Sequence, residues 1–138
     1  MAEKQSIPGT GDRSGEYDLE ERTARFGESA IRFCKQVAAS PVTQPLVVQL
    51  VKAATSVGAN YCEADDAESR RDFVHKIGIC RKESKEAKHF LRMMATAAPE
   101  SAQDARTLWK EAKELNLIFG AIRRKALSNN QSDNSQNP

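Results

Sequence analysis

Apolar residues recur at alternating steps of three and four along most of this 138-residue chain. No segment alternates apolar and polar residues over the length of a strand. This period predicts amphipathic α-helices, each with one apolar stripe. Four stripes fall between residues 17 and 127: Leu19, Phe26, Ala30, Phe33 and Val37; Leu46, Leu50, Ala53, Val57, Asn60 and Ala64; Phe73, Ile77, Cys80, Ser84, Ala87, Leu91 and Met94; Ala105, Leu108, Ala112, Leu115, Phe119, Ile122 and Ala126.

Each stripe follows residues that favour the start of a helix. Side-chain oxygens of Ser or Asp accept hydrogen bonds from free backbone amides there, and proline fits the first turn. Ser40-Pro41 ends the first helix, because proline disfavours helical geometry in the residue before it. The start signals are Asp18 with Glu21, Pro45, Ser69 with Asp72, and Ser101 with Asp104 after Pro99.

Four helices joined by short connections predict an all-α fold, an antiparallel up-down-up-down four-helix bundle over residues 17–127. The average apolar spacing of about 3.5 residues predicts left-handed packing at small crossing angles. Residues 1–16 and 128–138 are polar, without apolar periodicity, and are predicted to be disordered tails.

Helices two to four carry further apolar residues beside their stripes. A bundle of this size needs only about three apolar positions in seven, so the excess predicts self-association into a homo-oligomer. Small residues at Gly58 and Ala59 predict a close crossing of helix two with a neighbour. The further apolar residues are Val47, Val51, Ala54, Gly58, Tyr61, Ile79, Phe90, Met93, Trp109, Leu117 and Ile118.

Three short motifs occur in order: Ala53-Ala54-x-Ser56-x-x-Ala59-Asn60-x-x-Glu63, Ser69-x-x-Asp72-Phe73 and Lys82-Glu83-x-x-Glu86. From about Asp18 to Leu127 the chain resembles the four-helix-bundle family encoded in intervening sequences of 23S ribosomal RNA genes. That family shares its fold with the accessory protein of diversity-generating retroelements. The resemblance implies a ring-shaped homopentamer. The retroelement relatives assist a reverse transcriptase and contact RNA, which implies similar partners here.

Composition narrows the range of functions. Aromatic residues make up only 6% of the chain, so we expect a core of aliphatic side chains. No apolar run approaches the roughly 20 residues that span a bilayer, and neither end reads as a secretory signal. We therefore expect a cytoplasmic protein without membrane contact.

The third helix is strongly basic. Residues 69–94 hold eight Lys or Arg against three Asp or Glu, whereas the whole chain carries a net charge of +2. Such a surface predicts salt-sensitive contact with the phosphate backbone of RNA or DNA, without sequence readout, because few aromatic residues interleave. A solvated helix face is the alternative interpretation. The candidate nucleic-acid-binding residues are Arg70, Arg71, Arg81, Lys82, Lys85, Lys88 and Arg92.

Polar residues also interrupt the apolar surfaces of helices two and three. In an antiparallel hairpin of these helices, Glu83 lies near Lys52 and Asn60 lies near His75. We expect a structural role, in ion pairing and in helix register, because the sequence offers no second titratable partner in a cleft. An enzyme using these carboxylates is a lesser alternative. The residues concerned are Lys52, Asn60, Glu63, Glu83 and Glu86.

Metal and cofactor sites are not expected. Glu86-x-x-His89 and Asp72-x-x-His75 have the spacing of di-iron ligands, but both lie on helix three, about 21 Å apart, and one metal centre cannot bridge them. The three cysteines show no Cys-x-x-Cys spacing, and we expect reduced thiols. The sequence thus favours a non-enzymatic oligomer that binds nucleic acid, a nucleic-acid-processing enzyme, or both. A protein-only scaffold is the alternative.

Overall fold

A computed structural model describes the backbone of residues 15–136 and the side chains of residues 19–129. Within this part of the chain all regular structure is helical, which confirms the predicted fold class. The helices are α1 (Gly15–Gln36), α2 (Thr43–Asp65), α3 (Arg70–Ala97) and α4 (Ala102–Gln136), with a 3₁₀ turn at Pro99–Ser101 before α4.

The ends of the bundle differ from the sequence prediction. Helix α1 already includes residues 15 and 16, and the preceding residues of the predicted tail lie outside the described residues. Helix α4 continues through residues 128–136, where the sequence predicted a disordered tail. No proline or glycine follows Leu127 before that end. Extending a formed helix by one residue is much less costly than nucleating a new one, so a polar segment can continue it.

Local signals account for the starts of α2 and α3. The Ser69 hydroxyl accepts a hydrogen bond from the Asp72 backbone amide at 3.0 Å, as expected for an N-cap. Before α2, the Ser40 hydroxyl accepts from the Thr43 amide at 3.0 Å. The Thr43 hydroxyl in turn donates to the Ala38 carbonyl at 2.8 Å. These bonds hold the short connection between α1 and α2 in place.

Helix α3 packs extensively on both α2 and α4, whereas α1 packs mainly on α2 and more sparsely on α4. Within the described residues the backbones of α1 and α3 do not approach each other closely, so these two helices are diagonal to each other. This is the arrangement of a four-helix bundle, as predicted. Helix α1 is consequently the least embedded of the four.

The core is aliphatic with a few rings, and its centre includes Leu50, Ile77, Leu91 and Phe119, all fully buried. Tyr61 is buried, whereas the neighbouring Asn60, which the sequence placed in the stripe, is only partly buried. Helix α2 contacts both α1 and α3, so its buried face is wider than one stripe.

Because the buried face of α2 is wide, it covers some of the further apolar residues that the sequence analysis assigned to self-association. Ala54 and Tyr61 were predicted on the outer edge of α2 but are buried within the single chain. Leu117, by contrast, is 61% exposed. Less apolar surface therefore remains for self-association than the sequence suggested.

Helices α1 and α2 cross closely at two glycines. A Cβ at Gly58 would lie 3.3 Å from Oγ1 and 3.5 Å from the backbone carbon of Thr23. A Cβ at Gly27 would lie 3.5 Å from the Ala54 carbonyl oxygen. The close crossing predicted for helix two is therefore at Gly58, whereas Ala59 is exposed.

Candidate nucleic-acid interface

The edge of α3 that faces α2 is balanced in charge. Lys76 Nζ donates to Glu63 Oε1 at 2.5 Å, which links the two helices. Burial raises the pKa of Glu83, and the nearby Glu86 raises it further, while Lys82 and Lys52 oppose the shift. Carboxylates and ammonium groups therefore lie close together along this edge.

Asn60, on the same side of α2, bonds within its own helix. Its side-chain amide donates to the Ser56 carbonyl at 2.8 Å. A bond between residues of one helix carries no information on how α2 and α3 align. This bond therefore does not support the predicted role of Asn60 in setting the register between α2 and α3.

The opposite edge of α3, facing α4, has a different composition. Lys88 Nζ lies 5.7 Å from the centroid of the Trp109 ring on α4. The Arg81 backbone carbonyl accepts a hydrogen bond from the Asn116 side-chain amide at 2.8 Å. These contacts place the Lys88 side chain and the Arg81 backbone at the seam between the two helices.

Arginines of α4 join those of α3 at this seam. A Cβ at Gly120 would lie 3.4 Å from Arg124 Nη1 and 3.9 Å from Arg81 Cδ, so the two arginines flank one glycine. Arg123 lies against Gly78 of α3, where a Cβ would be 3.4 Å from its Nε. The seam therefore gathers cations from two helices.

The sequence-predicted basic residues of α3 are almost all exposed, and only Lys88 is half-buried. Arg70, at the first residue of α3, is exposed. Within residues 19–129, six of the seven candidates take part in no salt bridge. These six are Arg71, Arg81, Lys82, Lys85, Lys88 and Arg92.

Three cations of α4 were missed by the sequence interpretation: Lys113, Arg123 and Arg124. The run Arg123-Arg124-Lys125 was visible near the end of helix four, but only the packing of α4 on α3 shows that it continues the basic edge. We call the combined surface the basic face. It consists of Arg70, Arg71, Arg81, Lys82, Lys85, Lys88, Arg92, Lys113, Arg123 and Arg124.

Two carboxylates of α4 are engaged on the other side of that helix. Arg22 of α1 donates to Glu111 at 2.7 and 2.8 Å and to Glu114 at 2.7 Å. The hydrogen bond to Glu111 is the largest cause that raises the pKa of Arg22. Because Glu111 and Glu114 face α1, they do not neutralise the basic face.

Other chemistry is sparse in the described part of the chain. Burial raises the pKa of the Cys34 thiol to about 11 and that of Cys80 to about 12, so neither is a thiolate at neutral pH. No group of three or more His, Cys, Asp or Glu is positioned there to hold a metal ion. No helix described is both long and apolar enough to cross a membrane.

Comparison with known proteins gives one family. The sequence model of the family described as 23S rRNA-intervening sequence protein matches residues 16–121. A solved structure from Bacteroides thetaiotaomicron VPI-5482, a protein of unknown function from the S23 ribosomal protein family, has a similar fold with a TM-score of 0.66. It is 23% identical, and the alignment covers 76% of this chain and 97% of that one. No curated protein matches the chain. Neither description names an enzymatic activity.

Proposed function

The chain belongs to the 23S rRNA-intervening sequence protein family, and we propose that it is a non-enzymatic oligomer that binds the phosphate backbone of RNA or DNA. The observation that carries this proposal is the separation of charge around α3 and α4. Glu63 and Glu83 lie near lysines at the α2 side, and Glu111 and Glu114 pair with Arg22. Apart from Arg70, the cations of the basic face form no salt bridge within residues 19–129, and these nine remain available to a partner. A surface of one sign attracts a polyanion strongly, even though the whole chain carries only +2.

The dimensions of the basic face suit a nucleic acid. From Arg71 to Arg92, α3 extends about 30 Å at 1.5 Å per residue. This length is close to one turn of duplex, about 34 Å. Each phosphate contact by Lys or Arg releases condensed counterions, so binding weakens steeply with salt. Guanidinium groups add bidentate hydrogen bonds to phosphate oxygens.

Self-association is the second part of the proposal, with a ring-shaped pentamer as the assembly that the family resemblance implies. Leu117 and Val48 are each more than 60% exposed, and burial of such residues favours association. Repetition of the basic face around a ring would strengthen its field. Size exclusion with light scattering measures the mass directly. A single 15.3 kDa species at micromolar concentration would contradict this part.

A protein partner is the second candidate function. The same exposed apolar residues, together with Val42 at 62% exposure, offer contacts to another chain. We propose a nucleic-acid-processing enzyme, such as a reverse transcriptase, as that partner. A protein-only scaffold would use these residues without any contribution from the basic face.

Charge reversal tests the main proposal. The variant Lys82→Glu, Lys85→Glu and Arg92→Glu should bind labelled RNA and DNA about 100-fold more weakly for every sequence, and the slope of log affinity against log salt should fall by about 3. Fluorescence anisotropy at several salt concentrations measures both.

The matched control reverses Arg25, Arg32 and Lys35, three exposed cations of α1, the helix diagonal to α3. We expect less than a threefold change for this control. Light scattering checks that both variants assemble as the unmodified protein does. If the unmodified protein fails to bind at about 50 mM salt, the nucleic-acid proposal is wrong, and the protein-only scaffold takes its place.

A further inference from the structure

Trp109 is the only tryptophan of the chain, and it lies on α4 beside the basic face. Its ring is approached by two ammonium groups. Lys88 Nζ of α3 is 5.7 Å from the ring centroid, and Lys113 Nζ, one turn further along α4, is 5.5 Å from it. The indole is half-buried, packed against the core at the seam between the two helices. One aromatic ring therefore holds cations from both helices.

Two like charges at this spacing repel each other. The two distances to one centroid place the ammonium nitrogens at most about 11 Å apart, so 0.1 M salt, with a Debye length of about 10 Å, screens their repulsion only in part. The negative face of the indole attracts each cation, so the ring offsets part of this repulsion. It also restricts two long side chains that otherwise sample many rotamers. The entropy cost of ordering them is therefore paid before a ligand arrives.

An anion that contacts both ammonium groups interacts favourably with each and screens their mutual repulsion. Within the described residues neither lysine forms a salt bridge, and Glu111 and Glu114 of the same helix are occupied by Arg22. The pair is thus available to an external anion. Neighbouring cations of the basic face, including Arg81 and Arg92, extend the site along α3. This favours a polyanion over a single small anion.

Building on the proposed function, we propose that Trp109 is a positioning residue that holds Lys88 and Lys113 as a two-ammonium clamp on backbone phosphates of the bound nucleic acid. The ring contacts the lysines and the lysines contact the ligand. Because the indole is half-buried and two ammonium groups already lie near it, it is not a platform for base stacking. Binding through the clamp is therefore independent of sequence.

The charge arm of the test compares two double variants. One carries Lys88→Gln and Lys113→Gln, and the other carries Arg32→Gln and Lys35→Gln on α1. Both remove two positive charges. Anisotropy with a labelled 20-nucleotide RNA should show the clamp variant more than tenfold weaker, with a salt slope smaller by about 1.4, as expected for two phosphate contacts on a single strand. The α1 variant should change the affinity less than twofold. Equal losses in both variants would mean that only net charge matters, which overturns the clamp.

The aromatic arm keeps both lysines and changes the ring. Trp109→Leu should weaken RNA binding about three- to tenfold, whereas Trp109→Phe, which keeps an aromatic face, should restore it to within about twofold of the unmodified protein. Thermal melts show whether each variant is folded. Binding by Trp109→Leu equal to that of the unmodified protein would overturn the positioning role, even if charge reversal at Lys82, Lys85 and Arg92 still abolishes binding.

Intrinsic fluorescence gives a test that needs no variant. Because Trp109 is the only tryptophan, its emission reports this site alone. RNA should change the emission along the same binding curve that anisotropy records. Binding seen by anisotropy without any change in emission would overturn the clamp and leave the proposed function standing. Absence of binding by both methods would overturn both.

Discussion

The α1–α2 crossing and the α3–α4 crossing each contain two glycines, but the glycines face different atoms. At the first crossing, a Cβ at Gly27 or Gly58 would meet backbone atoms of the neighbouring helix at 3.5 Å. At the second, a Cβ at Gly78 or Gly120 would meet only arginine side chains within 4 Å. The same residue type thus allows close backbone packing in one place and makes room for guanidinium groups in the other.

The two crossings therefore affect different properties of the protein: its stability and the placement of its surface charge. Backbone atoms at the α1–α2 crossing cannot move aside without displacing a whole helix. The ends of Arg81, Arg123 and Arg124 are flexible and can move. The α1–α2 crossing therefore matters mainly for stability, and the α3–α4 crossing mainly for where positive charge is presented.

The largest effect on stability is expected at the α1–α2 crossing. Gly58→Leu forces a branched side chain against the backbone of Thr23 and should lower the free energy of unfolding by about 1 to 3 kcal/mol. Cys34→Ala, which leaves only a small gap, should cost less. Ala59→Leu is the matched control, since residue 59 is exposed, and should stay within about 0.5 kcal/mol. Urea denaturation ranks the three. If Ala59→Leu proves as costly as Gly58→Leu, the crossing is not where the structure places it.

The second effect concerns how α1 is held to α4. Arg22→Met removes the bonds to Glu111 and Glu114 while keeping an apolar side chain of similar length. We expect a loss of about 1 kcal/mol, because the group is partly exposed and the ion pairs are screened. The difference from the unmodified protein should shrink in 1 M NaCl, measured by the same denaturation. A loss independent of salt would mean that Arg22 acts through packing rather than charge.

The third expected effect is on stability and has the opposite sign, since the substitutions should not destabilise the protein. Gly78→Ala and Gly120→Ala add a methyl group where only arginine side chains must adjust, and alanine favours the helix over glycine by about 0.5 to 1 kcal/mol. Each variant should therefore be as stable as the unmodified protein or slightly more stable. Thermal melts check this result. Clear destabilisation would show that the α3–α4 crossing is as tightly packed as the α1–α2 crossing, and the contrast would fail.

The smallest effect on stability is expected at the α2–α3 interface. This interface is separate from both crossings and serves as a reference for them. Burial and Glu86 raise the pKa of Glu83, so the folded chain holds a proton there more readily than the unfolded chain. Stability from this group therefore falls as pH rises from about 4.5 through the raised pKa. Glu83→Gln should raise the thermal midpoint at pH 7 by at most a few degrees. The gain should disappear near pH 3.5, where the carboxyl is protonated in both states. A gain that is the same at both pH values would rule out this ionisation as its cause.

The pattern of residues close together in the sequence was sufficient to predict much of the fold. The all-helical class, the bundle and the N-cap at Ser69 were predicted because helix period and capping depend on residues three or four positions apart. The concentration of positive charge on α3 was equally visible in the sequence. Each of these features depends on near neighbours along the chain.

Tertiary packing decided what the sequence left open. Tyr61 rather than Asn60 enters the core because α2 contacts two helices at once. Lys76 and Lys88 lie on the same helix, yet Lys76 pairs with a carboxylate of α2 and Lys88 meets an indole of α4. The side chain that each one meets depends on which helix docks on which side and at what register. Those are long-range properties of packing, and no local pattern of residues contains them.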